Sequence, residues 1–249
     1  MFSIIIPTLQ KNIQILKMLL NELVKDDLIG EIILIDNSLK GFEYNSSKVK
    51  IIIPDENLFV NPSWNLGVQN AKYEFIGILN DDILIPKNFI SQVFEFLQYE
   101  NIGVIGIDTN GIKENNLCDF NNYPEICVCD FVTMPNTIYP KYWGIAIFCK
   151  KENYYKIPND IKIWCGDNYL LKCNDDNKKH NFQIKNSNIK HFGSLSSNDE
   201  IFNEQKYNDL KLYTQIDTRF NKHYYLKKDN KLKKIYKTLI NQFKIICQK

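Results

Sequence analysis

The chain has 249 residues, of which 44% are hydrophobic, and a formal net charge of +2 at pH 7. That is ample material for one large α/β core, and the near balance of charge excludes a whole-protein electrostatic commitment to nucleic acid or to an acidic partner. The seven cysteines form an odd set with no C-x-x-C pair, which argues against a disulfide framework or a zinc site and for reduced thiols in a cytoplasmic protein.

The first residues are apolar but stop at Pro7, without a basic leader or a cleavage site, and read as a strand rather than a targeting segment. Runs rich in isoleucine and valine at 2–6, 31–35, 49–53, 75–79 and 102–107 suit strands buried on both faces. Helical spacing lies between them. Ile13, Leu16, Leu19, Leu20 and Leu23 repeat at that spacing after Thr8, and Phe89, Val93, Phe94 and Leu97 do so after Pro86, a residue tolerated in a first helical turn. The alternation predicts an α/β fold with a Rossmann-like, mostly parallel central sheet flanked by helices. After Gly111 the pattern loosens, and strand-like runs at 126–134 and 143–148 mark a second subregion on the same sheet. Cys127 and Cys129 would share one strand face there, but two ligands do not make a metal site.

The last stretch, 221–249, holds nine lysines and one acidic residue, Asp229. Leu232, Ile235, Tyr236, Leu239, Ile240, Phe243 and Ile246 fall on one helical stripe, so this is a basic amphipathic helix. Either it docks its stripe on the domain with its lysines solvated, or it lies against anionic lipid head groups as a peripheral membrane contact. No run approaches the roughly 20 apolar residues that span a bilayer.

Ligands of open α/β sheets bind at the carboxyl ends of the strands. There the sequence is consistently polar: Pro7 and Thr8 after the first strand, Asp36, Asn37 and Ser38 after the second, Asn80, Asp81 and Asp82 after the fourth. Any one of these could be a turn or cap residue. Consecutive carboxylates at the end of a buried strand raise one another's pKa unless something positive meets them, and a hard divalent cation, Mn²⁺ or Mg²⁺, is the natural partner. Such a cation takes phosphate oxygens as well as carboxylates, which implies a diphosphate-bearing substrate. No P-loop and no G-x-G-x-x-G turn is present.

The ordered segments Ser3-Ile-Ile-Ile-Pro-Thr, Ile33-Leu-Ile-Asp-Asn-Ser, Asn57-Leu-Phe-Val-Asn-Pro-Ser-Trp-Asn-Leu-Gly-Val-Gln-Asn-Ala and Phe75-Ile-Gly-Ile-Leu-Asn-Asp-Asp resemble the family-two glycosyltransferases of the GT-A fold, notably their rhamnosyltransferase-like branch. Trp143-Gly-Ile-Ala-Ile-Phe, Trp164-Cys-Gly-Asp-Asn-Tyr-Leu and His191-Phe-Gly-Ser-Leu-Ser extend the resemblance to about residue 197. It implies a domain over 1–215, with a nucleotide-sugar half at 1–110 and an acceptor half at 111–215, followed by the helical tail at 216–249.

Carried over residue by residue, the resemblance implies that Pro7, Thr8, Asp36, Asn37 and Asn57 surround a UDP- or dTDP-sugar, with Asn65 and Gly67 shaping the donor pocket. Asn80 and Asp81 would border the sugar, and Asp82 and His191 would hold the metal. Asp167 would be the general base that takes a proton from a hydroxyl of a glycan, lipid-linked or protein acceptor, with inversion at the anomeric carbon. Two departures stand out: Asn80 occupies the place of an expected Asp, and Gly166 the place of a Glu. Asp167 could alternatively be a helix N-cap. The rivals are a catalytically silent nucleotide-sugar-binding module and a sugar nucleotidyltransferase, which would need a Gly-rich basic loop where Pro7-Thr8-Leu9-Gln10 stands.

Overall fold

The computed structural model describes residues 1–108, 126–134, 143–192 and 200–217. The isoleucine-rich runs become the strands that the sequence predicts: β1 (Phe2–Thr8), β2 (Ile29–Asp36), β3 (Val49–Ile52) and β4 (Phe75–Leu79), the last two linked by helix α2 (Val60–Asn70). Helix α1 (Ile13–Leu23) joins β1 to β2. Its cap is Asn12, whose side chain accepts the Ile15 amide at 3.1 Å. Beyond β4 come the two-residue β5 (Ile83–Leu84), α3 (Phe89–Leu97) and β6 (Ile102–Ile107). Pro86 lies ahead of α3, not in its first turn, and its carbonyl accepts the Phe89 amide. The second subregion adds β7 (Asp130–Thr133), β8 (Ala146–Lys150), α4 (Gly166–Asp176), β9 (His180–Lys185), β10 (Lys190–His191) and α5 (Glu200–Ile216).

The main sheet has the order β3-β2-β1-β4-β8-β6-β9-β7. β1, β2, β3, β4, β6 and β9 share one direction, while β8 runs against β4 and β6, and β7 against β9. The reversal matters for function. Because β8 is antiparallel, its beginning lies beside the end of β4: Ala146 pairs with Leu79. The segment just before Ala146 is thereby carried to the edge where Asn80, Asp81 and Asp82 leave the sheet.

Side chains alternate across the pleat. Ile4 and Ile6 of β1 join one apolar core with Leu16 and Leu19 of α1 and Val93 of α3, while Ile5 joins the other with Trp64 and Val68 of α2, Leu170 of α4 and Tyr213 of α5. A Cβ on Gly67 would stand 2.3 Å from Ile5 Cγ2, so the glycine lets α2 press directly onto β1. No helix among the described residues is long and apolar enough to cross a membrane. The basic tail lies outside the described residues, as do the loops expected to meet the acceptor at 111–125 and 135–142.

Candidate active site

β4 ends at Leu79, and Asn80 still reaches across to the neighbouring segment through its amide, which donates to the Ile145 carbonyl at 2.9 Å. Asp81 and Asp82 then turn off the sheet. Thr8, at the end of β1, donates its hydroxyl to Asp81 Oδ2 at 2.5 Å. The small β5–β10 ladder pairs Ile83 with His191, and the Phe192 amide donates to the Asp82 carbonyl at 3.0 Å. These pairings bring His191 Nε2 to 3.3 Å from Asp82 Oδ2.

Two features of this cluster suit a divalent cation. Asp82 Oδ1 is buried and accepts no hydrogen bond from the described residues, an arrangement that is costly unless a ligand supplies the missing partner. Burial, and next the charge of Asp82, push the Asp81 carboxyl up to about 7, against the opposing hydrogen bond from Thr8. A cation beside the pair would relieve both. No group of three His, Cys, Asp or Glu side chains able to hold a metal converges among the described residues. Asp82 and His191 would therefore supply the protein's ligands, with substrate phosphate and water completing the shell.

The other residues expected around the nucleoside are placed at or near the same sheet edge, but most of their polar atoms bind protein. Asp36 is fully buried and takes the Ser38 amide and hydroxyl on Oδ1, and the Gln10 side-chain amide and the Gly41 amide on Oδ2. Those four donors fill its acceptor capacity and shape the loop after β2. Asn37 ties that loop to α2, donating to Phe59 O and Ser63 Oγ and accepting the Leu58 amide. Asn57 accepts the Phe59 amide at 2.8 Å, stabilising a residue with φ 64°. Pro7 sits opposite Ile35 in the sheet.

Asn65 is committed to the protein as well. Its side chain bonds the Ile157 carbonyl and amide and the Tyr154 hydroxyl, fastening 154–157 to α2. Gly67, likewise, serves the contact of α2 with β1 described above. Both residues make packing contacts that join α2 to its neighbours.

Asp167 is reached through β8. It lies in the first turn of α4, but the cap position belongs to Cys165, with φ 64° and no side-chain cap bond, so the carboxylate does not cap its helix. Asp167 Oδ1 accepts the Asn168 amide at 2.9 Å, and the Gly144 amide also bonds the carboxylate. Gly144 stands two residues before Ala146, the partner of Leu79, which links Asp167 to the aspartate edge. Burial pushes its carboxyl up to about 6, only partly offset by these amides. An acid of that strength is ionised at neutral pH yet basic enough to accept a proton.

Gly166 has a steric reason. A Cβ there would stand 2.1 Å from Oδ1 of the fully buried Asn61, so the position has no room for the expected Glu. Asn61 donates to the Ile161 and Trp164 carbonyls. Asn61, Gln10, and Asp209 and Tyr213 on α5 are the residues around the site that sequence reasoning left unassigned. Asn61 lies inside one of the quoted motifs, whereas nothing local marks Asp209 or Tyr213.

The profile of glycosyl transferase family 2 matches residues 3–125. No curated protein matches the chain. Among solved structures, the 1–349 portion of S. aureus TarS is 16% identical, with 85% of this chain and 63% of that one covered and a TM-score of 0.54. The mannosyltransferase PcManGT of Pyrobaculum calidifontis, in complex with GDP-Man and Mn²⁺, is 12% identical over 89% of this chain and 65% of that one, with a TM-score of 0.58. GalNAc-T7, with UDP, GalNAc and Mn²⁺, is 12% identical over 78% and 43%, with a TM-score of 0.54. The chain thus spans less than two thirds of the length of each of these structures. At such identities the structural likeness speaks for the fold, and the profile match speaks for the family. Residues 3–125 thus match glycosyl transferase family 2, and the described residues share the GT-A fold of these glycosyltransferase structures.

Proposed function

We propose that the protein is an inverting glycosyltransferase that moves a sugar from a UDP- or dTDP-linked donor to a hydroxyl of a glycan, lipid-linked or protein acceptor. The observation that carries this reading is the spare acceptor on Asp82 beside His191, at the same sheet edge as a carboxylate, Asp167, tuned close to neutrality. Structures of similar fold hold UDP or GDP-mannose, two of them with Mn²⁺, which favours a nucleotide-sugar donor and a divalent cation here. An asparagine ahead of two aspartates keeps the rhamnosyltransferase-like branch as the preferred one.

In this reading residues 1–110 hold the donor and 111–215 the acceptor. Thr8 keeps Asp81 in place, and Asp82 and His191 would hold Mn²⁺ or Mg²⁺. The cation, when bound, supplies charge neutralisation for the departing nucleoside diphosphate. Asp167 takes the proton of the acceptor hydroxyl as that oxygen bonds to the anomeric carbon. The bond from that carbon to the diphosphate oxygen breaks, and its electron pair leaves with the diphosphate. Attack from the opposite face inverts the centre.

The test is release of nucleoside diphosphate from UDP-, dTDP- and GDP-sugars with Mn²⁺, Mg²⁺ or chelator, for wild type, Asp82→Ala and Asp167→Ala. Release from one pyrimidine donor that needs metal and disappears in both variants is the expected result. Release that persists in Asp167→Ala would remove the base assignment. Nucleotide binding without release in the presence of acceptor hydroxyls would turn the reading to a silent binding module.

A further inference from the structure

The turn that carries Asp167 is held by hydrogen bonds from two helices far away in sequence. On one side, α2 takes its carbonyls: the Asn61 side chain donates to Ile161 O at 3.1 Å and Trp164 O at 3.3 Å, and the Asn61 amide donates to Lys162 O at 2.8 Å. On the other side, α5 takes its amides. The carboxylate of Asp209, which has no exposed surface, accepts from the consecutive N–H groups of Lys162 at 2.9 Å, Ile163 at 2.7 Å and Trp164 at 2.8 Å. Gln205, one turn earlier on α5, donates to Asp209 Oδ1 at 2.8 Å and steadies it.

Three successive backbone amides converging on one point form a concave anion-binding nest, and here an internal carboxylate occupies it. The nest leads directly into Cys165, whose left-handed φ of 64° is rare for a residue with a side chain. Two residues on stands Asp167. A second bond from α5 falls just beyond it: the buried Tyr213 hydroxyl donates to the Asn168 carbonyl at 3.0 Å. The α5 helix therefore grips the chain both before and after Asp167, at points 45 residues away from its own contacting side chains.

We infer that Asp209 and Tyr213 are positioning residues for the base, with α5 serving as a clamp that sets the direction of the Asp167 carboxylate toward the acceptor hydroxyl. The inference rests on the transferase reading above for the word base, but the clamp itself is a property of the fold. Asn cannot replace Asp209 without turning an acceptor oxygen into a donor that faces backbone N–H groups, so even a change of the same size opens the nest. A carboxylate displaced by about 1 Å loses on the order of 100-fold in rate, while the Asp82–His191 pair is held by the separate β5–β10 ladder.

The experiment compares wild type, Asp209→Asn and Tyr213→Phe by steady-state kinetics, thermal melting, and amide hydrogen exchange of peptides spanning 161–169. The expected result for Asp209→Asn is faster exchange in that segment and a kcat lower by about 10- to 100-fold with donor KM within about twofold. Tyr213→Phe, which keeps the buried ring, should show the same split at about three- to tenfold and provides the answer if Asp209→Asn does not fold. A folded variant with wild-type kcat, or a loss confined to donor KM, would overturn the positioning role. If the wild type itself transfers no sugar, the transferase reading fails, and exchange decides the clamp alone: unchanged protection of 161–169 in both variants overturns it.

Discussion

β2 and β4 flank β1 on either side; β2 ends in Asp36, and β4 leads through Asn80 into Asp81 and Asp82 at the same edge of the sheet. Their fates differ. Asp36 is closed off by four protein donors, two on each oxygen. Among the described residues, Asp82 meets His191 with one oxygen and nothing with the other, although that oxygen is buried. Position after a strand therefore does not decide whether a carboxylate serves a loop or a ligand; the number of donors already committed to it does. A satisfied buried carboxylate belongs to the architecture, whereas an unsatisfied one is tolerable only where a partner arrives during function.

The largest effect should come from exchanging the two carboxylates for amides in turn. Asp82→Asn removes a charge where the cation would bind, and the expected consequence is a loss of kcat on the order of 100- to 1,000-fold together with loss of the Mn²⁺-dependent thermal shift expected of the wild type. Asp36→Asn places an NH₂ where backbone and side-chain donors converge and should destabilise the fold by about 1–3 kcal/mol. Its Mn²⁺-dependent thermal shift should survive. Melting curves with and without Mn²⁺, read beside donor turnover, separate the two. An Asp36→Asn protein that melts normally and loses its metal response would dissolve the contrast.

A smaller effect sharpens the same distinction with glycines. Alanine at Gly67 would drive a methyl into Ile5 of the core, and alanine at Gly166 would drive one into Asn61 beside the Asp167 turn. Each overpacking should cost about 1–3 kcal/mol, or roughly 2–4 °C of melting temperature per kcal/mol in a domain of this size. Only Gly166→Ala should also lower kcat at temperatures where the protein is folded, because Asn61 bonds the backbone leading to Asp167. Equal kcat in the two variants would mean that Asn61 supports the fold alone.

The strands of the first half were legible because continuous isoleucine runs admit few other readings once both faces must be buried. The Asp81–Asp82 pair was legible for a related reason: adjacent carboxylates after such a strand pose an electrostatic problem that the sequence itself displays. Asn65 and Gly67 show the limit. Both lie in a segment that resembles a sugar-nucleotide motif, yet a motif does not display which protein contacts a residue makes. Asn65 fastens 154–157 and Gly67 admits Ile5. The reversal of β8 and the grip of α5 were illegible because they depend on pairings between distant segments, and neither carries a local pattern. Asn61 could have been found, since an Asn in the first turn of a helix with no cap to make must bond elsewhere.

The smallest expected effect is a pH dependence of stability, and its sign follows from the two raised carboxyls. Asp81 is pushed from 3.8 up to about 7 and Asp167 from 3.8 up to about 6, in both cases mainly by burial. A group whose folded value exceeds its unfolded one binds protons more tightly in the native state, so its contribution to stability is full below the unfolded value and disappears as pH rises through the folded one. The metal-free protein should therefore lose a few degrees of melting temperature between about pH 4 and about pH 7, where the two carboxyls must ionise in a dry setting. Asp81→Asn, which stays neutral and can still accept the Thr8 hydroxyl, should flatten the upper part of that decline. Mn²⁺ should reverse it, because a cation favours the ionised carboxylates and its stabilising effect grows as protons leave. A wild type whose metal-free stability rises across this window would show that neither carboxyl is held up by burial, and the spare oxygen on Asp82 would then no longer set this edge apart from the closed loop at Asp36.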